Sequence, residues 1–342
     1  MKSWARLRMV FGRICQALPA LFGVIVVTFI LTRALPGDPA VYFAGPAADE
    51  GSIRQIREAL GLDRPLYEQF IYYLLDLTSG NLGVSISTGQ PVLEELARRL
   101  PASLELTLGA LLLSLAVAVP MGVLAATNPG RPIDHICRVI ATAGVSLPTF
   151  FTGIALVFVF YYLLGWSPAP IGRLDFAYLS PPAITGFYTI DALLDGDPET
   201  AVAAAGQLLL PMITLALFTL APIARMTRGA MLQALGSDFI RTAKAAGLSQ
   251  RVILIRYAFR NAMLPVITTL GMVFSFTLGA NVLVEKVFAW PGIGSFAVDA
   301  LVVSDYAAVQ GFVLTMAMLF VLLNLLIDIA YTLIDPRIEA NG

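Results

Sequence analysis

Residues 106–126 read LTLGALLLSLAVAVPMGVLAA, an apolar stretch without a charged side chain. Such a stretch decides the fold class, because about 20 apolar residues are needed to cross the hydrocarbon core of a bilayer as a helix. The composition agrees: 58% of the 342 residues are hydrophobic and 13% are Asp, Glu, Lys or Arg, whereas roughly a quarter of the residues in soluble domains are charged. The sequence therefore predicts an all-α polytopic membrane protein.

Six apolar stretches predict six transmembrane helices. They are residues 14–32, 106–126, 139–165, 208–224, 264–283 and 309–327. The fourth is short and is interrupted by Pro211 and Pro222. The first follows basic residues, as a signal peptide would, but no small-residue cleavage site closes it, so we expect a retained helix.

The distribution of Lys and Arg predicts the orientation in the membrane. The connection 225–260 contains seven basic residues and one acid, Asp238, while the connection 166–206 contains five acids and one base, Arg173. We therefore assign three segments to the cytoplasm, namely the connection 225–260, the turn with Arg131 and Arg138, and the basic N-terminus. An even number of spans returns the C-terminus to the same side, and we expect a multi-pass protein of the bacterial inner membrane.

A polar segment of about 70 residues separates the first two spans and is predicted to form an extracytoplasmic cap. Residues 54–60 and 65–77 have helical length, with Pro65 suited to a first turn and Gly61 to a helix end. The second of these helices has one apolar face, formed by Leu66, Phe70, Tyr73, Leu74 and Leu77. We expect this face to lie on the protein or on the membrane surface.

The connection between the fourth and fifth stretches contains the most informative motif. Residues 237–249 read SDFIRTAKAAGLS. Ser237 is a suitable N-cap, Asp238 favours the positive end of a helix dipole and Gly247 suits a left-handed helix end, so we expect a short self-capped helix. Ser249 is expected to cap a second helix with one apolar stripe, formed by Val252, Ile255, Phe259 and Met263. The alternative is a basic loop that only obeys the positive-inside rule.

The chain resembles a known family in this loop and in several flanking motifs. Residues 241–247, RTAKAAG, followed by Arg256 and Leu264-Pro265, resemble the EAA loop of permease subunits of ATP-binding-cassette importers. The chain is most similar to the dipeptide, oligopeptide, glutathione and nickel branch. Further motifs of that branch lie on both sides of the loop. In chain order they are Leu35-Pro36-Gly37-Asp38-Pro39, Gly61-Leu62-Asp63-Arg64-Pro65, Arg99-Leu100-Pro101-Ala102-Ser103, Ser146-Leu147-Pro148, Phe288-Ala289-Trp290-Pro291-Gly292 and Asp335-Pro336-Arg337.

This resemblance implies the type I importer permease fold and divides the chain into four parts. These are the N-terminus with the first transmembrane helix (1–32), the cap segment (33–104), a five-helix permease core with the coupling loop 225–263 (105–335), and a cytoplasmic tail (336–342). In the family, the coupling helix docks on an ATPase subunit and transmits its closure to the membrane helices. The resemblance implies as contacts Asp238, Arg241, Thr242, Ala243, Lys244, Gly247 and Arg256.

The resemblance also implies the partners. They are a second, non-identical permease subunit, two ATP-binding subunits and an extracytoplasmic solute-binding protein that delivers a peptide or a related small solute. The sequence contains no Walker A pattern, so ATP and Mg²⁺ are expected on the partner subunits and no catalytic residue or cofactor on this chain. A single His135 and two Cys residues argue against a zinc site. The net charge of −1 gives no general attraction for nucleic acid.

An ion-coupled secondary transporter of small solutes is the alternative function. Such a protein would be expected to carry carboxylates at the bilayer midplane and discontinuous helices in matching halves, and neither is evident.

Two external segments are candidates for receptor docking or for an outer gate. Residues 191–199 carry alternating acids, which suggest a solvated acidic turn, a receptor contact or a cation loop, although calcium would require a more convergent set of oxygens. The turn that begins at Trp290 is either an interfacial turn or a gate. The candidate residues are Asp191, Asp195, Asp197, Trp290, Pro291 and Gly292.

Overall fold

The structure is a computed structural model that describes residues 18–31, 40–41, 48–59 and 61–334. Within these residues the regular secondary structure is helical, apart from one isolated β-bridge between Val84 and Pro91. The chain divides into two compact units, Met1–Pro101 with Gly292–Leu325, and Ala102–Pro291 with Leu326–Gly342. The motifs at 35–39 and 335–337 and the tail 336–342 lie outside the described residues.

The helices follow one another along the described residues. They are α1 (Leu18–Leu31), α2 (Glu50–Ala59), α3 (Leu66–Thr78), α4 (Val92–Thr127), α5 (Pro132–Ser146), α6 (Thr149–Leu163), α7 (Tyr188–Leu194), α8 (Pro198–Leu235), α9 (Asp238–Ala245), α10 (Gln250–Val287), α11 (Ile293–Val302) and α12 (Tyr306–Ile334). Two segments are π-helices, Val157–Leu163 at the end of α6 and Ile253–Phe259 near the start of α10.

Four of these helices are long and apolar enough to cross a membrane. They are α4, α8, α10 and the part of α12 at Tyr306–Ile327. A fifth span results if α5 and α6, which meet at an angle of 100°, are counted together. Helix α1 is apolar but only Leu18–Leu31 of the predicted stretch 14–32 is described. The all-α membrane class is confirmed, while the number of six spans stays a prediction.

The third predicted span, 139–165, is not one straight helix. The chain bends between α5 and α6, where Leu147 is extended (φ −112°, ψ 144°) and Pro148 follows it. A residue before proline is disfavoured in the helical region, because the proline ring collides with its backbone. The apolar pattern continues through the bend, so hydropathy alone could not locate it.

The fourth predicted span proved longer and more regular than expected. Helix α8 is continuous over 38 residues and contains both Pro211 and Pro222. Close contacts with its neighbours hold it in place: a Cβ added to Gly144 of α5 would lie 2.4 Å from the Leu217 carbonyl oxygen. Small residues let helices approach closely in membrane proteins, and such packing helps to stabilise a helix that contains prolines.

The unit that contains α3 has helices at both places where the sequence predicts them between the first two spans, with shifted ends. Helices α2 and α3 replace the predicted ranges 54–60 and 65–77, and Gly61 between them has φ +62° as expected for a helix end. Pro65 lies just before α3 rather than in its first turn. The predicted face of α3 packs on α1, since the Phe70 ring lies 5.1 Å from the Phe29 ring.

The same unit contains a second buried contact, at the start of α4. Buried Asp305 accepts hydrogen bonds from the Ser85 hydroxyl (2.6 Å) and the Ser87 amide (3.2 Å). Nearby, the Arg99 guanidinium lies 5.1 Å above the Phe296 ring of α11. These contacts fix the loop before α4 against the turn between α11 and α12.

Candidate functional site

Helix α9 is a short helix between two long apolar helices, α8 and α10. Its Ile240 side chain is fully buried and Ala243 is 6% exposed. Both belong to a cluster with buried residues from three other helices, namely Ala126 of α4, Ala230, Met231 and Ala234 of α8, and Ile253, Ala258 and Ala262 of α10. The helix is therefore fixed to the ends of α4, α8 and α10 through its apolar face.

The opposite face of α9 is polar and exposed. The side chains of Asp238 and Arg241 are 94% and 78% exposed and lie 3.2 Å apart. Thr242 and Lys244 are also exposed, as is Arg256 on α10. Ala243, which the family resemblance implied as a contact, is buried, so in this structure it anchors the helix rather than contributing to the exposed face.

The two ends of α9 were predicted with unequal success. Gly247 has φ +77°, and its amide donates to the Lys244 carbonyl (3.0 Å), which confirms the left-handed helix end. Ser237 occupies the N-cap position, but its hydroxyl donates to the Ala234 carbonyl of α8 instead of accepting from α9. The predicted side-chain cap is therefore wrong, because the hydroxyl completes the preceding helix. Ser249 also lies at an N-cap without a side-chain cap bond.

The first turns of α10 differ from the expected register. The predicted stripe lies largely outward, with Val252 and Ile255 exposed, and the buried residues are Ile253, Ala258 and Ala262. The spacing of five between Ile253 and Ala258 matches the π-helix there, whose hydrogen bonds join residues five apart. Prediction with an α-helical period of 3.6 therefore selected the wrong face.

An ion pair that the sequence did not reveal joins α5 to α8 near this end of α4. Asp134 is 1% exposed and accepts two 2.8 Å hydrogen bonds from Arg228, through Nε and Nη2. It also accepts the Gly130 amide at 3.0 Å. The partners are separated by 94 residues, and the only signal was that Asp134 is the one acid in a basic turn.

Within α4, a buried carboxylate binds the loop before α7 and the first turn of α7. Glu105 is 5% exposed and accepts Arg173 Nη2 at 2.6 Å together with the Thr189 amide (3.0 Å) and hydroxyl (2.5 Å). The Arg173 guanidinium stacks 3.6 Å from the Tyr188 ring centre. The sequence identifies Arg173 only as the one base of the connection 166–206 and gives no sign of its partner.

A second buried carboxylate joins α4 to α10. Glu285 is 1% exposed and accepts the Ser103 hydroxyl (2.5 Å) and the Asn281 amide (3.0 Å). Asn281 also donates to the Thr107 hydroxyl of α4 (3.2 Å). These hydrogen bonds join α4 to α10 through buried side chains.

The candidate residues for receptor docking divide into buried and exposed groups. Trp290 is 1% exposed and donates Nε1–H to the Ala102 carbonyl at 2.9 Å. Gly292 is also buried, whereas Pro291 and Asp195 are exposed. Exposed Asp197 caps α8 by accepting the Thr200 amide at 3.0 Å.

Asp191 organises its own loop. Its side chain is fully buried and accepts the amides of Thr185 (2.7 Å), Gly186 (2.8 Å) and Ile184 (3.3 Å) and the Thr185 hydroxyl. Burial raises the pKa of this carboxyl, but the hydrogen bonds outweigh burial and hold the pKa below its usual value. Asp191 is therefore a structural anion rather than an exposed one.

Among the described residues, no group of three or more His, Cys, Asp or Glu side chains could hold a metal ion.

Comparison with known proteins gives one consistent result. Residues 118–340 match the family "Binding-protein-dependent transport system inner membrane component", and residues 6–107 match the N-terminal model of the same membrane components. The chain is 46% identical over 321 residues to a probable D,D-dipeptide transport system permease protein of Escherichia coli K12, with 94% of each chain covered. It is 41% identical to a di/tripeptide transport system permease protein of Pseudomonas aeruginosa (96% and 97% covered). It is 38% identical to a dipeptide transport system permease protein of E. coli K12 (97% and 99% covered).

Proposed function

The chain belongs to the inner-membrane components of binding-protein-dependent transport systems, and we propose that it forms half of the pore of an ATP-driven peptide importer. It is a permease subunit, in a non-catalytic family of ATP-binding-cassette importers. The proposed partners are two ATP-binding subunits, a second and non-identical permease, and an extracytoplasmic solute-binding protein. ATP and Mg²⁺ would bind to the ATP-binding subunits.

The observation that carries the proposal is the two-sided character of α9. Its exposed face offers Asp238, Arg241, Thr242 and Lys244 to a partner, while Ile240 and Ala243 fix it to α4, α8 and α10. Packed interiors transmit displacement because they contain few voids. A push on α9 by a closing ATPase pair would therefore move the ends of three helices together, which is what alternating access of a pore requires.

The proposed topology places six spans in the membrane, with the N- and C-termini in the cytoplasm. The spans are α1 with the residues that precede it, α4, α5 with α6, α8, α10 and α12. Segment 33–104 is the extracytoplasmic cap, 105–335 the core with the coupling loop 225–263, and 336–342 the cytoplasmic tail. The seven bases of the connection 225–260 support this orientation.

Cysteine labelling tests the orientation. Gln233 and Asp195 are both exposed and are proposed to lie on opposite sides of the membrane. In a background lacking Cys15 and Cys137, we expect an impermeant thiol reagent added outside intact cells to label Asp195→Cys but not Gln233→Cys. The reverse pattern would contradict the topology.

The proposed substrate is a di- or oligopeptide, because the relatives named above are named for D,D-dipeptide, di/tripeptide and dipeptide transport. The decisive measurement is ATP-dependent uptake of a labelled dipeptide by the complex reconstituted in vesicles with its solute-binding protein. Uptake of a dipeptide that depends on both ATP and the receptor is expected. Uptake driven by an ion gradient without ATP would instead support the secondary transporter.

For receptor docking or an outer gate we propose the exposed members of the external set, Asp195, Asp197 and Pro291. Asp191, Trp290 and Gly292 are buried and are proposed to shape that surface from beneath. Asp195→Lys is expected to weaken stimulation of ATP hydrolysis by the receptor. Because Asp195 lies outside the buried contacts, the assembled complex should form normally, and unchanged stimulation would remove Asp195 from the surface.

Cross-linking tests the coupling role directly. We expect Arg241→Cys, in the background without native cysteines, to cross-link to an ATPase subunit through a thiol-to-amine reagent. The matched control is Asp195→Cys, another exposed position, on the proposed outer side. Absence of an ATPase adduct from Arg241→Cys, or equal yield from both positions, would contradict the proposal.

A further inference from the structure

A cavity of about 280 Å³ lies between α4, α5 and α8, beside the turn that joins α4 to α5. Its walls are mostly small or apolar and include Met121, Ala125, Ala141 and Ala224. Ligand pockets commonly measure roughly 300–1,000 Å³. The cavity therefore suits a small group, such as a lipid headgroup, rather than a whole lipid or peptide.

Three arginines line this cavity, Arg138, Arg225 and Arg228. Only Arg228 is closely neutralised, by its two 2.8 Å hydrogen bonds to Asp134. Arg138 Nε lies 3.6 Å from the same carboxylate, and its Nη2 lies 2.7 Å from His135 Nδ1. One carboxylate, Asp134, thus pairs with two of the three arginines that line the cavity.

Arg225 has the fewest partners of the three. Its Nε donates to the Ala221 carbonyl of its own helix at 3.3 Å. Among the described residues, no carboxylate lies within salt-bridge distance of it. Its two Nη groups are therefore available donors, and planar guanidinium groups match the geometry of phosphate oxygens.

A second, wider hollow adjoins the cavity along α5. It shares Arg138 and Thr142 with the cavity and is lined further by His135, Val139 and Ala143. Val139 is 67% exposed. Val139 and Ala143 are four residues apart and so lie on one face of α5, where they form a short apolar strip beside the polar side chains of the hollow.

We propose that the cavity binds the phosphate of an anionic phospholipid, whose acyl chain follows the apolar strip of Val139 and Ala143 on α5. Basic pockets between transmembrane helices bind anionic headgroups, and both the basic lining and an adjoining apolar strip are present here. If these arginines only set the orientation in the membrane, they would need to lie on one side of it but would not need to line the same cavity. The assignment to the cytoplasmic leaflet rests on the proposed topology, while lipid binding itself does not.

Retention of lipid by the purified transport complex tests the proposal. Native mass spectrometry would compare complexes reconstituted with phosphatidylglycerol and with phosphatidylcholine and then delipidated. We expect the wild type to retain phosphatidylglycerol, and the double variant Arg138→Gln with Arg225→Gln to bind it roughly tenfold or more weakly. The matched control is Arg131→Gln with Arg251→Gln, which removes two exposed charges outside the cavity and should retain the lipid.

A second variant tests the shape of the cavity with every charge in place. Gly229 lines the cavity, and a Cβ added there meets no atom within 4 Å. Gly229→Leu should fold normally and fill the space, so it should also lose the lipid.

Four results would overturn the proposal. The first is equal retention of phosphatidylglycerol by the wild type and the cavity variants, and the second is retention of phosphatidylcholine equal to that of phosphatidylglycerol. The third is displacement of the lipid by inorganic phosphate at millimolar concentration. The fourth is that the wild type carries no lipid and the double variant loses a protein subunit. The last result would assign the cavity to an acidic side chain of a partner. Because lipid is counted without transport, failure here leaves the importer proposal intact.

Discussion

Gly247 is the position at which one substitution should weaken the proposed contact of α9 with the ATPase subunit. Its φ of +77° lies in the left-handed region, which costs residues with a Cβ about 1–2 kcal/mol. A Cβ there would meet no atom within 4 Å, so the whole cost is in the backbone. Because 1.4 kcal/mol corresponds to a factor of ten in an equilibrium constant, Gly247→Val should lower the equilibrium constant that favours the native helix end by roughly tenfold, and β-branching should add to this.

The consequence should be local. Two backbone hydrogen bonds would be lost with the turn, from the Gly247 amide to the Lys244 carbonyl and from the Leu248 amide to the Ala243 carbonyl. The exposed face of α9 would then change direction. No transmembrane helix is altered, so we expect normal insertion and assembly. Transport and receptor-stimulated ATP hydrolysis by the reconstituted complex should both fall, since the docking-competent state is populated less.

Gly247→Asn provides the matched control, because asparagine tolerates the left-handed conformation better than other residues with a Cβ. It should retain most of the activity that Gly247→Val loses. If Gly247→Val leaves both activities at the wild-type level in a correctly assembled complex, α9 is not the coupling element. Equal losses in the Asn and Val variants would show that side-chain bulk, not backbone conformation, is responsible.

Three further outcomes are expected. Replacing both Arg241 and Lys244 by Gln should weaken ATPase docking by about 1 kcal/mol for each lost contact, measured as earlier release of the ATPase subunits in a salt series; identical retention would reduce the pair to topology signals. Arg173→Met should destabilise the complex by about 3–5 kcal/mol, because it leaves Glu105 buried without its cation, and a thermal melt equal to wild type would contradict this. The pKa of Asp191 is lower in the folded protein than in the unfolded chain, where it is about 3.9. The hydrogen bonds of its carboxylate therefore stabilise the loop above the unfolded pKa, and this stabilisation is lost as the pH falls through the folded pKa. Proteolysis of the loop should rise only in strong acid, and Asp191→Asn should abolish that rise.

Local signals in the sequence predicted the backbone well where one residue type has a specific conformational property. Gly61 and Gly247 have the left-handed conformation that their positions indicated. Leu147-Pro148 was quoted only as a family motif, although its backbone preference marks the bend between α5 and α6. The π segment at Ile253–Phe259 has no comparable signal, because apolar residues alone do not distinguish bonds to the fourth residue from bonds to the fifth.

Contacts between distant parts of the chain were beyond sequence reasoning. The ion pairs of Asp134 and Glu105 join residues 94 and 68 positions apart, respectively. Charge counting assigned Arg173 and Arg228 to sides of the membrane, which is a statistical property of loops rather than of partners. Burial of Asp191 and Trp290 was missed for a similar reason, since acids and aromatic residues at an outer boundary are typical of exposed turns.

The same two helices carry both ends of the proposed coupling path. From Ala126, in the α9 cluster, to Glu105 is 21 residues along α4, or about 32 Å at 1.5 Å per residue. From Ala262 to Glu285 is 23 residues along α10, or about 35 Å. At the far end the buried bonds of Glu285 join α4 to α10, and those of Glu105 join α4 to the loop before α7. Buried hydrogen bonds are costly to break without replacement, so displacement of α9 should move the Ser103–Glu105 region of α4, the end of α10 and that loop together.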